Sequence, residues 1–237
     1  EDWAYISSGT WSLLGIETQM PIINDRALAL NFTNEGGAGG TYRFLKNICG
    51  LWLLQACRKV WEKDRHFAYE DLVSAAEAAP AFLCLLDPDD PSFINPPDMP
   101  LAIRDYCSFT GQHVPESIPE YVRCILESLA LKYRFVLDQL REMAPRPVRR
   151  IHVIGGGAKN RILNQFTANA TGLEVVAGPV EATAAGNILV QAFSKDDALS
   201  LDSLRDVVRR SFPLTRYQPQ EPELWEKVYK RFCSLIT

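Results

Sequence analysis

The pattern that most constrains the fold lies between residues 150 and 193, where stretches typical of strands alternate with stretches typical of helices. The sequence predicts strand, helix, strand and helix in turn, at 150–156, 160–171, 173–178 and 181–193. Near the start, an apolar run, a small polar turn and a second apolar run at 5–15 predict a tight β-hairpin. A hairpin followed by βαβα units indicates a layered α/β domain.

The segment between these two patterns is predicted to add strands and helices to the same domain. Alternating Leu28, Leu30 and Phe32 predict a strand, and the glycines that follow, at 36, 37, 39 and 40, predict a loop. The next stretch is apolar nearly all round, which predicts a buried helix over 42–62. Further helices are expected at 69–79, from a capping box at 117–120 to 143, at 202–210 and at 221–235.

Composition excludes several classes of function. The 237 residues carry 25 basic and 29 acidic side chains, a net charge of -4, and no basic stripe, which argues against nucleic acid as a partner. No apolar run reaches the roughly 20 residues of a membrane span. No secretory signal is visible at the start, so we expect a cytoplasmic protein. The chain begins without Met and almost inside a strand, which suggests a piece of a longer protein.

Cysteine, histidine and aspartate patterns give no metal site. The six cysteines contain no C-x-x-C pair and the three histidines are scattered, so structural roles are the better interpretation. Cys107 and Cys124 flank a polar loop and could meet, although a reducing compartment favours free thiols. The aspartates at 87, 89 and 90 are interpreted as a solvated loop.

Two glycine-containing turns are candidate phosphate sites. Gly155, Gly156 and Gly157 lie where a buried strand becomes a helix, and exposed N–H groups there suit phosphate or a nucleotide. A tight turn without a ligand explains this run equally well, since it matches neither G-x-G-x-x-G nor the P-loop. The hairpin tip at Gly9 and Thr10 is similarly ambiguous. If it faced the glycine run, its N–H groups and the Thr10 hydroxyl could hold phosphates.

Two amides form the third candidate feature. Asn47 and Gln55 lie in the predicted 42–62 helix, about 80° apart around its axis and about 12 Å apart along it. They could face one elongated site. The alternative, core amides bonded to nearby backbone, is favoured by the general behaviour of buried polar groups. The Ala- and Gly-rich helix after Glu181 is interpreted as a packing surface.

Several long stretches in order resemble the C-terminal half of the FGGY carbohydrate kinases. They are YISSGTWSLLG, NFTNEGGAGGTYRFLKNICGLWLLQ, DPDDPSFINPPDM and GGGAKNRILNQFTANATGLEVVAGPVEATAAGN, and the resemblance extends over nearly the whole chain. It implies an actin-like, ribonuclease H-like fold, with residues 1–237 as the C-terminal, ATP-binding domain. It also implies transfer of the γ-phosphoryl group of ATP, with Mg²⁺, to the 1-hydroxyl of L-rhamnulose.

The resemblance implies roles for individual residues. Thr10, with Gly9 beside it, matches the family's phosphate motif, and Gly156 with Gly157 matches the nucleotide glycine turn. Gln55 matches a residue at the ATP and Asn47 one at the sugar. On this interpretation the hairpin tip is small so that a triphosphate can lie against it.

The resemblance also has limits. The family's N-terminal domain, which supplies the catalytic aspartate and most sugar contacts, has no counterpart here, so no residue is assigned as the general base. Similar kinases tend to carry cysteines in the helix after the glycine turn, where this chain has Thr167 and Thr171. Alternatives are a kinase of another ketose or polyol, and a non-catalytic nucleotide- or sugar-sensing module.

Overall fold

A mixed β-sheet forms the centre of the molecule. The computed structural model describes residues 2–63, 66–194 and 200–236. The strands within those ranges are β1 (Trp3–Ser8), β2 (Trp11–Thr18), β3 (Thr33–Gly36), β4 (Tyr42–Cys49), β5 (Arg150–Ile154), β6 (Glu174–Ala177) and β7 (Thr215–Tyr217). They lie in the order β3-β4-β2-β1-β5-β6-β7. Strands β1, β5 and β6 are parallel, and the other neighbouring pairs are antiparallel. The predicted α/β class is therefore confirmed.

Helices complete the fold. In the described ranges they are α1 (Asp25–Ala29), α2 (Trp52–Trp61), α3 (Tyr69–Glu77), α4 (Met99–Phe109), α5 (Ile118–Arg141), α6 (Arg161–Thr171), α7 (Ala182–Phe193), α8 (Leu201–Ser211) and α9 (Pro222–Ile236). The long helix α5 is buried along most of its length and contacts β2, β4, α2, α3, α6 and α9. It is the centre of the core. No helix in the described part of the chain combines the length and hydrophobicity needed to cross a membrane.

The predictions for the hairpin and for residues 150–193 are confirmed to within a few residues. The helix predicted to start at the capping box is also present as α5. There Glu120 reaches back, accepting bonds from the Glu116 N–H at 2.9 Å and the Ser117 hydroxyl at 3.1 Å. Ser117 makes no side-chain bond to the backbone of the helix. Of the two hydrogen bonds of a capping box, the one from the Ser117 side chain to the helix backbone is therefore missing, and Glu120 provides the side-chain acceptor at the start of α5.

The predicted helix over 42–62 is wrong. Residues Tyr42–Cys49 form β4, which pairs with β2 on one side and β3 on the other, and only Trp52–Trp61 is helical. Strand β4 has buried residues on both faces, Phe44 and Ile48 on one and Leu45 and Cys49 on the other, so its sequence resembles that of a buried helix. Gly50 marks the change from strand to helix.

The strand predicted at Leu28, Leu30 and Phe32 is also wrong. The Asn24 side chain accepts a hydrogen bond from the Ala27 N–H at 2.8 Å and caps a short helix, α1. Leu28 is fully on the outside of the molecule, whereas Phe32 stacks on Phe44 in the core. Three alternating apolar residues were too few to outweigh the helix start at Asn24.

The cysteines of the described residues are all free thiols, five of them buried. Cys84 and Cys124 lie with their sulfurs 3.1 Å apart, and Cys107 contacts both. Cys107 and Cys124 are therefore free thiols in this structure and form no disulfide with each other. Burial raises the pKa of the Cys124 thiol well above its ordinary value, so the thiol stays protonated.

Candidate functional site

The hairpin tip, residues 8–11, is fixed by the turn that joins β4 to α2, residues 49–52. The N–H groups of Gly50 and Trp52 donate to the Thr10 carbonyl at 3.2 and 3.1 Å, and the Leu51 N–H donates to the Gly9 carbonyl at 2.9 Å. A Cβ on Gly50 would lie 2.7 Å from the Gly9 oxygen, so only glycine allows this approach. The tip is thus pre-shaped by its own chain.

The side chain of Thr10 is joined to Gln55. The Thr10 hydroxyl donates to the Oε1 atom of Gln55 at 3.1 Å, and both residues are exposed. The first turn of α2 therefore presents Gln55 directly beside the tip. The two residues that the sequence suggested for ATP are neighbours in space, although 45 residues separate them in the chain.

The glycine turn, residues 155–157, lies against the end of β1. A Cβ on Gly157 would lie 1.9 Å from the Ser8 hydroxyl, and one on Gly155 would lie 2.9 Å from the Ser8 carbonyl oxygen. Gly155 also has a φ of 83°, which favours glycine. Gly156 differs, because nothing lies within 4 Å of its Cβ position and it is exposed. Gly157 thus serves close packing, and Gly156 is the glycine open to a ligand.

The amides at the start of α6 are partly used by the protein itself. Asn160, which is buried, caps α6 by accepting a hydrogen bond from the Leu163 N–H at 3.0 Å, and its amide nitrogen donates to the Tyr69 hydroxyl at 3.0 Å. The Leu163 N–H is therefore not available to bind a phosphate. The glycine turn itself, more than the helix N-terminus, is the surface available to an anion.

The tip and the glycine turn form two walls of one pocket of about 570 Å³. This tip pocket is lined by small, apolar and amide side chains, namely Ser7, Ser8, Gly9, Trp11, Leu13, Asn47, Gly155 and Gly156. None of these lining residues carries a charge. A bound anion would therefore be contacted by N–H and hydroxyl donors of this chain without an ion pair.

Asn47 lies in β4 directly opposite Leu13 of β2, and its side chain reaches the tip pocket. Gln55 lies in α2 and is not among the pocket residues. The prediction that one helix carries both amides is wrong, because a strand and a helix meet between them. Both amides are exposed, so the alternative of two core amides is wrong as well.

A buried hydroxyl pair stabilises the hairpin from behind. The Ser12 hydroxyl and the Tyr133 hydroxyl of α5 are 2.7 Å apart, and both side chains are buried. Burial raises the pKa of Tyr133 to about 12, so the phenol stays neutral. The contact joins the strand next to the tip to the central helix.

A second cavity, of about 500 Å³, lies at the other end of β2. Its charged residues include Glu17 and Arg205, which pair with each other, and Glu17 also accepts a hydrogen bond from Thr41 at 2.7 Å. Those polar groups are satisfied within the protein. The tip pocket, where the hairpin, Asn47 and the glycine turn converge, is the better candidate site.

Sequence reasoning missed the turn at 49–52, which shapes the tip. The available signal was Gly50, a glycine between two apolar runs that reads as the end of one element and the start of another. With that signal, β4 and α2 would have been separated, and Asn47 and Gln55 would have been placed on different elements.

Comparison with known proteins gives a consistent result. The model of the FGGY family of carbohydrate kinases, C-terminal domain, matches residues 4–194. Rhamnulokinase from Bacteroides thetaiotaomicron is 52% identical over 235 residues, which are 99% of this chain and 48% of the relative. Rhamnulokinase from Pectobacterium carotovorum subsp. carotovorum is 48% identical over 99% of this chain and 47% of the relative. The chain thus spans about half the length of the curated relatives it matches.

Solved structures share the fold at low sequence identity. Ligand-bound xylulose kinase from Lactobacillus acidophilus matches with a TM-score of 0.72 and 15% identity, over 99% of this chain and 46% of that one. Gluconate kinase from the same organism matches with a TM-score of 0.71 and 15% identity, over the same shares. The actin-like, ribonuclease H-like fold implied by the sequence is therefore confirmed.

Proposed function

We propose that this chain, which belongs to the FGGY family of carbohydrate kinases, is the ATP-binding half of an enzyme that phosphorylates L-rhamnulose at its 1-hydroxyl. The observation that carries the proposal is the convergence of the hairpin tip, the glycine turn and Asn47 on one pocket. The identity of about half to rhamnulokinases along nearly the whole chain supports the sugar.

The tip and the glycine turn would hold the phosphates and the rest of the nucleotide. Gly156 leaves the backbone open, and the exposed Thr10 hydroxyl beside the pocket would turn from Gln55 to donate to a phosphate. Gln55, which accepts the Thr10 hydrogen bond, would orient that hydroxyl and contact ATP. Phosphoryl transfer depends mainly on positioning and on charge stabilisation, and a tip fixed by three backbone bonds supplies positioning.

Asn47 would contact the sugar. It lies one strand away from the tip, in the same pocket, so a sugar hydroxyl beside it would be close to the transferred phosphoryl group. An amide offers both a donor and an acceptor, which suits a hydroxyl. We assign no general base to this chain, since the lining residues are neither acids nor bases.

The ATP would enter as its Mg²⁺ complex. When bound, the ion neutralises phosphate charge and orients the leaving group. The uncharged hydroxyl and backbone lining of the tip pocket fits a polyanion whose charge is balanced in this way. Among the described residues no group of three or more His, Cys, Asp or Glu side chains could hold a metal, so we propose no protein metal ligand in this half.

The other half of the enzyme would be an N-terminal domain that supplies the base and most sugar contacts. Helix α7 is a candidate contact surface for it. None of residues 182–192 is buried, and Ile188 and Val190 are 67% and 49% exposed. These two residues lie about 200° apart around the helix axis, so apolar side chains are exposed on more than one side of α7, where a second domain could cover them.

The test is the reaction itself. The complete enzyme, this chain joined to its N-terminal half, should release ADP when given L-rhamnulose and MgATP, and the product should be L-rhamnulose 1-phosphate by NMR. Other ketoses and polyols at the same concentration should react with a kcat/KM lower by at least about tenfold, the discrimination expected from a hydroxyl contact.

Two results would contradict the proposal. Faster turnover of another ketose or polyol would assign the enzyme to a different sugar. Tight ATP and sugar binding without any ADP release would indicate the sensing module. The isolated chain should bind nucleotide weakly without turnover, and sugar phosphorylation by the pure chain would contradict its assignment as half of the site.

A further inference from the structure

The aspartate-rich loop that follows Leu86 is not simply solvated, as the sequence suggested. The Lys132 ammonium group, on α5, lies 2.7 Å from the Asp87 carboxylate and 3.1 Å from that of Asp89. Lys132 is only 6% exposed. A buried ammonium group is stable only when it is paired and hydrogen-bonded, so the two aspartates have a defined partner. We call Asp87, Asp89 and Lys132 the charged cluster.

The charged cluster contacts the turn that shapes the tip. The Oδ1 atom of Asp89 accepts a hydrogen bond from the Cys49 N–H at 2.7 Å, while its Oδ2 atom faces Lys132. Cys49 is the last residue of β4 and the first of the 49–52 turn. A carboxylate that accepts from a backbone N–H makes one of the stronger kinds of hydrogen bond in proteins. Asp89 therefore fixes the start of this turn.

The same loop also fixes the other end of the turn. The indole N–H of Trp52 donates to the Phe93 carbonyl at 3.1 Å. Between these two anchors, Gly50, Leu51 and Trp52 donate the three hydrogen bonds to the carbonyls of Gly9 and Thr10. The loop thus determines where the turn lies, and the turn determines where the tip lies.

We propose that Asp89 is a positioning residue for phosphoryl transfer, held in place by Lys132 and acting through the 49–52 turn on the hairpin tip. The inference rests on the proposed function, because the tip is assigned to the phosphates. Asp89 does not contact the tip pocket. Its effect is on the location of the hairpin tip, in which the Gly9 N–H donates to the Trp11 carbonyl at 2.9 Å and the Thr10 hydroxyl donates to Gln55 at 3.1 Å. A displacement of about 1 Å in an element that positions a substrate can lower a rate about 10²-fold.

The test compares three variants of the complete enzyme. Asp89→Ala should lower kcat about 10- to 100-fold while the KM for the sugar changes little, since Asn47 is not displaced. Asp89→Asn keeps an oxygen acceptor for the Cys49 N–H but turns its amide nitrogen towards Lys132, which stays paired with Asp87, so it should recover part of kcat. The matched control is Asp105→Ala, which removes an exposed carboxylate of α4. It should leave kcat unchanged.

A second measurement does not depend on turnover. Amide hydrogen exchange at residues 9–12 and 49–52 should become faster in Asp89→Ala and stay as in the wild type in Asp105→Ala. If Asp89→Ala does not fold, Trp52→Phe serves instead. Trp52→Phe removes the bond to Phe93 and part of a ring packed against the core, and it should lower kcat less than Asp89→Ala does.

The outcomes separate the two proposals. An active wild type with equal kcat for Asp89→Ala and Asp105→Ala overturns the role of Asp89 and leaves the proposed function intact. A lower melting temperature for Asp89→Ala, with kcat per folded molecule unchanged, shows a structural role only and also overturns it. A wild type without sugar phosphorylation contradicts the proposed function, and the exchange data then report whether Asp89 positions the tip at all.

Discussion

The hairpin tip and helix α7 are both exposed and rich in small residues, but they are stabilised in opposite ways. At the tip, three backbone N–H groups from the 49–52 turn donate to the carbonyls of Gly9 and Thr10. In α7 the apolar side chains of Ile188 and Val190 remain exposed, although α7 packs in part against α8. The tip has its shape within this chain, whereas α7 presents a surface with little of its own chain against it.

The difference follows from the chemistry of the exposed groups. Backbone donors and acceptors can be satisfied locally, so a polar loop can be rigid and still face solvent. Apolar side chains gain stability only when another surface removes them from water. The comparison therefore agrees with the proposal that the tip positions phosphates and that α7 docks a second domain, and each part of the proposal can be tested separately.

The largest effect is expected from a charge on α7. In the complete enzyme, Ile188→Asp would bury an unpaired carboxylate in the proposed interface and should lower kcat/KM on the order of 10³-fold. The isolated chain should melt at the same temperature with or without the change, because Ile188 is exposed there. Steady-state kinetics and thermal melting measure the two effects.

Phe109→Asp is the matched control, since Phe109 is 92% exposed at the end of α4. It should leave kcat/KM unchanged. Equal activity for Ile188→Asp and the wild type would show that α7 does not dock the second domain. The proposed role of α7 in the comparison with the tip would then be wrong.

The next largest effect is expected at the tip. Thr10→Ala removes an exposed hydroxyl, so the free energy of unfolding should change by no more than roughly 0.5 kcal/mol. Loss of a donor that stabilises transition-state charge should lower kcat about 10²- to 10³-fold, although the metal ion would offset part of this. Thr10→Ser keeps the hydroxyl and should retain most activity. A large drop in melting temperature with normal kcat would identify Thr10 as a turn residue only.

A smaller effect separates Gln55 from Asn47. Because Gln55 accepts the Thr10 hydrogen bond, Gln55→Leu should raise the KM for ATP by about tenfold, and its effect should not add fully to that of Thr10→Ala. Asn47→Ala should instead raise the KM for the sugar and relax rejection of analogues that lack a hydroxyl. Its effect should add to that of Thr10→Ala.

A double-mutant cycle in the complete enzyme measures this coupling. Equal effects of both amide variants on both KM values would contradict the division of the pocket into a nucleotide side and a sugar side. Strong coupling of Asn47 to Thr10 would contradict the independence of the two sides.

The smallest effect concerns β5, the strand that leads into the glycine turn. Burial, together with Arg150 and Arg216, lowers the pKa of His152 below its ordinary value of 6.5. The folded state thus favours the neutral ring, so its contribution to stability is present above pH 6.5 and is lost as the pH falls further. The NMR titration midpoint of His152, assigned with His152→Gln, should lie below 6.5. A midpoint above 6.5 would show that β5 is less buried than described.

The sequence predicted the second half of the fold better than the first. Residues 150–193 carry short apolar runs separated by Gly155–157 and Gly172, so each element has a clear beginning and end. Residues 42–62 lack that clarity, because β4 has buried apolar residues on both faces and its apolar run continues into α2 with only Gly50 between. Helix α4 was missed because its cap, Asp98, lies in a stretch interpreted as loop.

The sequence identified individual residues of the candidate site, but not the long-range contacts that hold them together. Thr10, Gly9 and Gly156 were named from local turn chemistry, which sequence shows well. The pairing of Asp87 with Lys132 joins residues 45 positions apart, and no local pattern signals such a contact. Long-range pairing of this kind is decided by packing on α5.

Strand β4 pairs with β2 on one side and β3 on the other, which limits where this chain can tolerate an insertion. Lys46 reaches back to Gln139 of α5, while its neighbour Asn47 reaches the tip pocket. Inserting one residue between Tyr42 and Lys46 would exchange these two faces, placing an ammonium group in the pocket and an amide against α5. The Gly-rich connection before β4, which leaves Gly39 and Gly40 without close neighbours, can absorb extra length. Length variation among natural relatives should therefore occur in that connection and be absent from the strand.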